Sequence, residues 1–139
     1  MAQKKIKITE RKQEVLRSLK SFGTSIYNQL DQGVFPTVKM PSRSTENINY
    51  DPALRQFILG EKNVDRSTRN IRHIKPFTQL AWVAMFSNEL TSQRKTSTLR
   101  DVYYSAQAYE MTFADQQESN NIITDLETLT GFAREDFNI

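Results

Sequence analysis

Residues 73–108 carry the strongest structural signal in the sequence, HIKPFTQLAWVAMFSNELTSQRKTSTLRDVYYSAQA. The first part, 73–92, is apolar on nearly every side, which predicts a central, buried helix with Pro76 in its first turn. A short polar connection and a second amphipathic segment follow. Two helices joined in this way have the form of a helix-turn-helix, whose second helix commonly enters the DNA major groove, although many helical proteins contain such a pair.

The second helix contains two adjacent tyrosines, Tyr103 and Tyr104, whose side chains point to different faces of the helix. Ser97 or Thr98 is a suitable N-cap, and Asp101 lies in the first turn, where the helix dipole favours an anion. Because an α-helix rotates by about 100° per residue, side chains three or four positions apart share a face, and this helix has an apolar core face and a second face. The core face holds Leu99, Val102, Tyr103 and Ala106, and the second holds Arg100, Tyr104, Gln107 and Met111. We therefore predict a packed Tyr103 and an outward Tyr104.

The segments on either side predict further short elements. Residues 9 to about 32 have helical spacing of apolar side chains, with Thr9 as N-cap and Gly33 as the stop. Short strands are predicted at 37–40, 48–50 and 56–59. A last helix carries Ile122, Leu126, Leu129 and Ala133 on one stripe and ends near 131–135. The predicted fold class is mainly α with a small β-sheet (α+β).

Composition excludes several kinds of protein. The 139 residues fit one domain, or one domain with an arm. With no cysteine and one histidine, His73, the chain has no disulfides or thiol nucleophile and no multi-histidine metal site of its own. No apolar run reaches the ~20 residues of a bilayer span. The N-terminus, MAQKK, lacks the apolar stretch of a secretory signal.

Charge is distributed unevenly along the chain. Residues 1–100 contain 18 of the 19 Lys and Arg but 8 of the 16 Asp and Glu. Residues 101–139 contain one Arg and the other 8 acids. A basic half indicates a polyanionic partner, most often nucleic acid, and a solvated basic face is the alternative.

Tyr104 beside Arg100 permits two interpretations. The first is an amphipathic surface tyrosine that hydrogen-bonds to phosphate. The second is a nucleophile for phosphoryl transfer. A free phenol has a pKa of about 10, so attack near neutral pH needs a nearby cation, base or metal. Arg100 supplies such a cation and could hold a phosphate oxygen.

Two short segments of the chain are similar in sequence, RSTENI at 43–48 and RSTRNI at 66–71. Six partly identical residues do not establish a repeat. Hydroxyl and Asn side chains that close turns explain the similarity. The Arg of each copy either faces phosphate or lies on the surface.

Five ordered blocks together resemble a known family. They are PSRS at 41–44 with NI at 47–48, QFILG at 56–60, RSTRN at 66–70 with KPFTQ at 75–79, TLRDVYY at 98–104, and FADQ at 113–116 with the segment up to Glu127. These blocks are similar to the A subunit of DNA topoisomerase VI and its relatives, the meiotic double-strand-break transesterases. The resemblance covers nearly the whole chain.

The resemblance implies a winged-helix domain of the catabolite-activator type over 35–139, preceded by a basic helical arm over 1–34. The family nucleophile, the second tyrosine of the pair, corresponds to Tyr104, and the active-site arginine corresponds to Arg100. Tyr104 would then attack a DNA phosphate and remain linked to the 5′ end. Two copies of the chain, a homodimer, would cut both strands.

The resemblance also implies partners. Double-stranded DNA is one of them, and the positive charge of certain side chains, independently of the resemblance, predicts that they bind its phosphates: Arg66, Arg69, Arg72, Lys75, Arg94 and Lys95, together with Arg100. Family members continue into a Toprim domain that binds Mg²⁺ through a Glu and an Asp-x-Asp pair, and no Asp-x-Asp occurs here. We therefore expect that this chain lacks the Toprim domain and a metal site, and that Mg²⁺ and ATP are bound by a Toprim-containing half and a B-type ATPase subunit.

Three functions follow as expectations. The first is the DNA-cleaving module of an ATP-hydrolysing type IIB topoisomerase, inactive when isolated. The second is a non-enzymatic winged-helix module for DNA binding or assembly. The third is a regulatory protein that competes for the topoisomerase's partner. In each case the expected location is cytoplasmic and nucleoid-associated, or nuclear in a eukaryote, without a membrane partner.

Overall fold

The computed structural model describes residues 2–139, with the side chains of residues 10–44 and 46–139. The described α-helices are α1 (Ala2–Asp31), α2 (Ile71–Ser92), α3 (Leu99–Ala108) and α4 (Gln116–Thr130). The strands are β1 (Thr37–Pro41), β2 (Ile48–Asp51), β3 (Gln56–Leu59) and β4 (Asn63–Ser67). Short 3₁₀ helices span Thr45–Asn47 and Arg134–Phe137.

Helix α2 lies at the centre of the molecule, as its apolar sequence predicts. It packs against α1, α4, β4 and the C-terminal 3₁₀ helix. The buried core draws on every α-helix and on the C-terminal segment: Val15, Leu19, Leu80, Trp82, Val83, Ala84, Val102, Ala106, Phe113, Ile122, Ile123, Leu126 and Phe137. Asn70 caps α2 by accepting a hydrogen bond from the Arg72 backbone N–H at 3.0 Å. Pro76 consequently lies in the second turn, not the first.

Helix α1 is longer than the sequence predicts. It begins at Ala2, so Thr9 is not its N-cap. The physical reason is composition: residues 2–8 contain no Gly or Pro to end a helix. The predicted stop is confirmed, because the helix ends at Asp31 and Gly33 adopts a left-handed φ of 72°. Val15 and Leu19 of this helix are buried in the core.

The strands form two separate antiparallel pairs, β1 with β4 and β2 with β3. β1, β2 and β3 fall where the sequence predicts them, whereas β4 is not predicted, because NVDRS lacks an alternating apolar pattern. The first pair packs on the helices, with Met40 buried and β1 in contact with α4. Mainly helical structure with small sheets confirms the α+β class and is consistent with a winged-helix domain.

The last helix, α4, ends at Thr130, and its C-cap residue Gly131 adopts a left-handed φ of 78°. Ala133 therefore lies beyond the helix, at the start of the C-terminal 3₁₀ helix, and the apolar stripe ends at Leu129. None of the helices in the described part of the chain is both long and apolar enough to span a bilayer.

Candidate nucleic-acid interface

The turn between α2 and α3 is held by hydrogen bonds at both of its ends. Thr98 is the N-cap of α3, and its Oγ1 accepts a hydrogen bond from the Asp101 backbone N–H at 3.1 Å. On the other side, the Asn138 side-chain amide donates to the Lys95 carbonyl at 2.9 Å, and the Ser97 N–H donates to the Asn138 carbonyl at 2.8 Å. The C-terminal segment is thus hydrogen-bonded to the turn that joins the two helices.

Helix α1 holds that C-terminal segment in place. Arg11 donates from Nε and Nη2 to the two carboxylate oxygens of Asp136, at 2.7 and 2.8 Å. Lys12 Nζ donates to the Asp136 carbonyl at 2.9 Å and to Asn138 Oδ1. The Arg11 hydrogen bond lowers the pKa of Asp136 below its ordinary value. Partial burial lowers the pKa of Lys12.

The two tyrosines of α3 lie on the faces that helical spacing predicts. Val102 and Ala106 are completely buried, and Tyr103 packs against the core beside them. Tyr104 is 50% exposed. Met111 is the exception, because α3 ends at Ala108 and Met111 turns back to pack against the core.

Arg100 lies directly beside Tyr104. Its guanidinium carbon is 5.7 Å from the centroid of the Tyr104 ring, a cation–π distance. The neighbouring Tyr104 side chain raises the pKa of the Arg100 guanidinium above its ordinary value. The rings of Tyr103 and Tyr104 meet edge to face with centroids 5.3 Å apart. The outward phenol therefore has a permanent cation next to it.

The predicted DNA-binding residues fall into two groups at opposite ends of α2. Arg94 and Lys95 are exposed in the turn before α3. Arg66, Arg69, Arg72 and Lys75 lie around the start of α2. The helix has 22 residues, so its ends are about 33 Å apart. The structure does not bring the two groups together.

Two members of the second group are paired with carboxylates. Arg66 Nη1 is 3.0 Å from Asp125 Oδ2, and Lys75 Nζ is 3.2 Å from Glu118 Oε1. Arg69 lies over the Phe35 ring, 5.6 Å from its centroid. Within the described side chains, neither Arg69 nor Arg72 has a carboxylate oxygen within 4.0 Å.

The arginines that begin the similar segments RSTENI and RSTRNI, Arg43 and Arg66, both contact the carboxylate of Asp125. Arg43 Nη2 lies 2.5 Å from Asp125 Oδ1, and Arg66 bonds to the other oxygen of the same carboxylate, Oδ2. The Asp125 side chain is 6% exposed, and the repeated Arg is the one feature of the sequence that could have indicated this contact. The Asn residues close local structure as expected: Asn70 caps α2, and buried Asn47 donates to the Ser42 and Lys62 carbonyls at 2.6 and 3.1 Å.

A buried amide positions the loop that follows α3. Gln79 Nε2 donates to the Thr112 carbonyl at 3.0 Å and to Glu118 Oε1 at 2.5 Å. The hydrogen bond from Gln79, helped by Lys75, lowers the pKa of the Glu118 carboxyl. Among the side chains that the structure describes, no three His, Asp or Glu are grouped as ligands for a metal ion. The Mg²⁺ that the resemblance implies therefore has no fitting ligand set in this part of the chain.

Comparison with known proteins shows which sequences this chain is similar to. Residues 75–139, which include all of α3 and α4, match the family model for type IIB DNA topoisomerase. The A subunit of type 2 DNA topoisomerase 6 from Methanothermobacter thermautotrophicus is 40% identical over 93% of this chain and 36% of that protein. This chain is therefore similar in sequence to type IIB topoisomerase A subunits.

Other topoisomerase 6 A subunits agree with this relationship. The Pyrococcus abyssi protein is 33% identical over 91% of this chain and 35% of its own length. The Haloarcula marismortui protein is 29% identical with the same coverage of both chains. The chain thus spans about a third of the length of these A subunits. No solved structure matches it significantly.

Proposed function

We propose that this chain is the DNA-cleavage module of a type IIB topoisomerase, with Tyr104 as its nucleophile. The observation that carries the proposal is the exposed Tyr104 phenol beside the Arg100 guanidinium, on a helix within the segment that matches the topoisomerase family. Tyr103, its neighbour, packs against the core and is not available to DNA in the same way.

The proposed reaction is a transesterification. The Tyr104 phenol oxygen attacks a DNA phosphorus and loses its proton, and the bond from phosphorus to the 3′ oxygen breaks. The 3′ oxygen takes up a proton and leaves as a hydroxyl, while the 5′ end remains joined to Tyr104. One phosphodiester replaces another, so the step is close to balanced and reversible. Arg100 places positive charge where the attacking oxygen and the phosphate carry negative charge.

The complete reaction needs components beyond the residues described above. Mg²⁺ would supply charge neutralisation at the phosphate, and we propose that a Toprim-containing part of the enzyme holds it. A B-type subunit would bind and hydrolyse ATP. Two copies of this chain would face the two strands of one duplex, each cutting one strand.

The two exposed groups of basic residues suggest how DNA is held. Arg94 and Lys95 lie in the turn immediately before α3, so they would contact the phosphates that flank the cleaved bond. Arg69 and Arg72 lie about one α2 length away, about 33 Å, which is close to one turn of B-DNA. They would contact the same duplex further along.

The test is covalent capture of DNA by a matched pair of variants. The chain, a Toprim-containing half, a B-type subunit, Mg²⁺, ATP and supercoiled DNA are mixed, denatured and assayed for protein on 5′ ends. We expect Tyr104→Phe to abolish the adduct and Tyr103→Phe, which keeps the packed ring, to retain it. Arg100→Ala should slow adduct formation about 10²-fold or more.

The opposite results would assign a different function. An adduct that survives Tyr104→Phe removes Tyr104 as the nucleophile. DNA binding without any adduct in the complete mixture supports the non-enzymatic winged-helix module instead. Binding to the B-type subunit without DNA binding supports the regulatory protein.

A further inference from the structure

Helix α3, which carries Tyr104, depends on its neighbours for its position. It has only 10 residues, and helices shorter than about 12–15 residues are marginally stable by themselves in water. Of its side chains, only Val102 and Ala106 are buried. Arg100 and Tyr104 both lie within the first six residues of the helix, so the contacts around its N-terminus bear directly on where these two side chains lie.

Among the described residues, three hydrogen bonds join residues 95–99 to segments outside α2 and α3. Gln116, the first residue of α4, donates from Nε2 to the Leu99 carbonyl at 2.9 Å. The other two bonds involve Asn138. Its backbone carbonyl accepts from the Ser97 N–H at 2.8 Å, and its side chain donates from Nδ2 to the Lys95 carbonyl at 2.9 Å. Asn138 is therefore the main long-range contact of the turn before α3.

The Asn138 side chain is also held by helix α1. Its Oδ1 accepts a hydrogen bond from Lys12 Nζ, so the amide lies between an ammonium on α1 and a carbonyl in the turn. Lys12 donates in addition to the carbonyls of Glu135 and Asp136, at 3.2 and 2.9 Å, which accounts for all three N–H donors of the ammonium. Beside it, Arg11 binds both oxygens of the Asp136 carboxylate.

The backbone around Asn138 suits this arrangement. Asn138 has a φ of 62°, in the left-handed region that Asn adopts more readily than most residues. The residue before it, Phe137, is completely buried in the core. A continuous path of hydrogen bonds therefore runs from α1 through residues 135–138 to the turn before α3. We call its central part, from Lys12 Nζ through the Asn138 amide to the Lys95 carbonyl, the Asn138 bridge.

We propose that Lys12 and Asn138 are positioning residues for DNA cleavage. Through the Asn138 bridge, helix α1 holds the turn before α3 and thereby holds Tyr104 against the DNA phosphate. Both residues act through the helix, since Tyr104 lies six residues beyond the Thr98 cap, about 9 Å along the helix axis. This inference rests on the function proposed above and names residues that set the rate of the Tyr104 step.

Position matters because the attack on phosphorus tolerates little displacement. The reacting atoms must approach to about 3–3.5 Å with the correct alignment, and a displacement of about 1 Å can cost about 10²-fold in rate. Phosphate binding by exposed, flexible lysines and arginines tolerates such displacements. Loss of the Asn138 bridge should therefore slow adduct formation at saturating DNA and leave DNA affinity unchanged.

The experiment measures the rate of adduct formation at saturating DNA in the complete mixture of this chain, a Toprim-containing half, a B-type subunit, Mg²⁺ and ATP. Lys12→Met removes the three donors and keeps an apolar stem. Asn138→Asp keeps the oxygen that faces Lys12 and tolerates the left-handed backbone, but it no longer donates to the Lys95 carbonyl. Each variant should slow the adduct about tenfold or more with an unchanged Kd for DNA. The double variant should be no slower than the slower single variant, because both changes break one path.

The controls make the same chemical changes at exposed positions outside the bridge. They are Lys20→Met on α1 and Asn121→Asp on α4, and neither should change the rate. Hydrogen–deuterium exchange of the full chain without DNA gives a second readout. The amides of residues 95–101 should exchange about tenfold faster in Lys12→Met and Asn138→Asp, and at the wild-type rate in the two controls. Circular dichroism should show that every variant is folded.

Wild-type adduct rates in Lys12→Met and Asn138→Asp would overturn the positioning role. Wild-type exchange of residues 95–101 in both variants would overturn it as well, and so would losses of rate that multiply in the double variant. A wild-type mixture that forms no adduct would overturn the proposed function instead. The exchange measurement uses no DNA, so it decides independently of cleavage whether the Asn138 bridge holds the turn.

Discussion

At the scale of single residues, Asp125 joins segments far apart in the sequence. Its carboxylate accepts from Arg43, 82 positions away, and from Arg66, 59 positions away. These bonds attach the β1–β4 pair and the loop after β1 to α4. Arg66, proposed from sequence as a DNA contact, has its guanidinium directed at this internal carboxylate, and only 19% of its side chain is exposed.

This arrangement predicts non-additive destabilisation. Replacing Arg43 or Arg66 by Met leaves Asp125 with the other guanidinium, so each single change should cost about 1–2 kcal/mol. Replacing both leaves a buried, unpaired carboxylate, which should cost about 3–5 kcal/mol and exceed the sum of the single changes. Urea denaturation of the wild type, the two single variants and the double variant measures the coupling free energy between Arg43 and Arg66. Strictly additive losses would show that Asp125 is not shared.

Glu118 predicts a loss of stability in acid. Its hydrogen bond from Gln79 lowers the pKa of the folded state, so the unfolded chain binds the proton first as pH falls. The stabilisation is complete above the ordinary glutamate pKa, about 4.3, and disappears as pH falls through the lower folded pKa. Urea midpoints measured from neutral pH into acid should therefore fall less steeply for Glu118→Gln.

The exposed Glu110→Gln is the control for this measurement and should keep the wild-type pH dependence. Some acid sensitivity should remain in Glu118→Gln, because Asp136 also has a lowered pKa from Arg11. Equal pH dependence in Glu118→Gln and the wild type would contradict the assigned role of Gln79.

At the scale of elements, two glycines with different surroundings give opposite predictions. A Cβ on Gly60, after β3, would lie 2.7 Å from Asn47 Oδ1 and from Asn49 Nδ2. Gly60→Ala should therefore destabilise by about 1–3 kcal/mol. Gly23 lies within α1 with nothing within 4 Å of an added Cβ, so Gly23→Ala should stabilise by about 0.5–1 kcal/mol.

Thermal or urea unfolding of both variants checks this pair. A neutral Gly60→Ala would mean that the Asn47 side chain can move away without losing its three hydrogen bonds to backbone groups. The paired design separates the close approach at Gly60 from the general effect of adding a methyl group.

At the scale of the whole molecule, DNA affinity should depend on salt through specific lysines and arginines. Arg94 and Lys95 are exposed beside α3, whereas Lys75 is paired with Glu118. Each lost phosphate contact lowers the slope of log K against log salt by about 0.9. Arg94→Gln with Lys95→Gln should therefore lower the slope by about 1.8 on a short duplex, while Lys75→Gln should change it little.

Fluorescence anisotropy over a range of salt concentrations measures these slopes. A larger change for Lys75→Gln than for the double variant would place DNA at the start of α2 instead of at α3. The blocks of sequence that resemble topoisomerase A subunits do not decide this point, because they include residues near both ends of α2.

The sequence by itself determined the local features: helix α2, the Thr98 cap, and the separation of Tyr103 from Tyr104. Helical periodicity and capping depend on residues three or four positions apart, so they are readable from one chain. The tertiary structure decided which basic side chains remain free. Nothing in the sequence distinguishes Arg66 and Lys75 from the exposed Arg94. Packing of the folded chain pairs Arg66 with Asp125 and Lys75 with Glu118. Strand β4 likewise forms because β1 supplies its hydrogen bonds, a partner that its own residues do not specify.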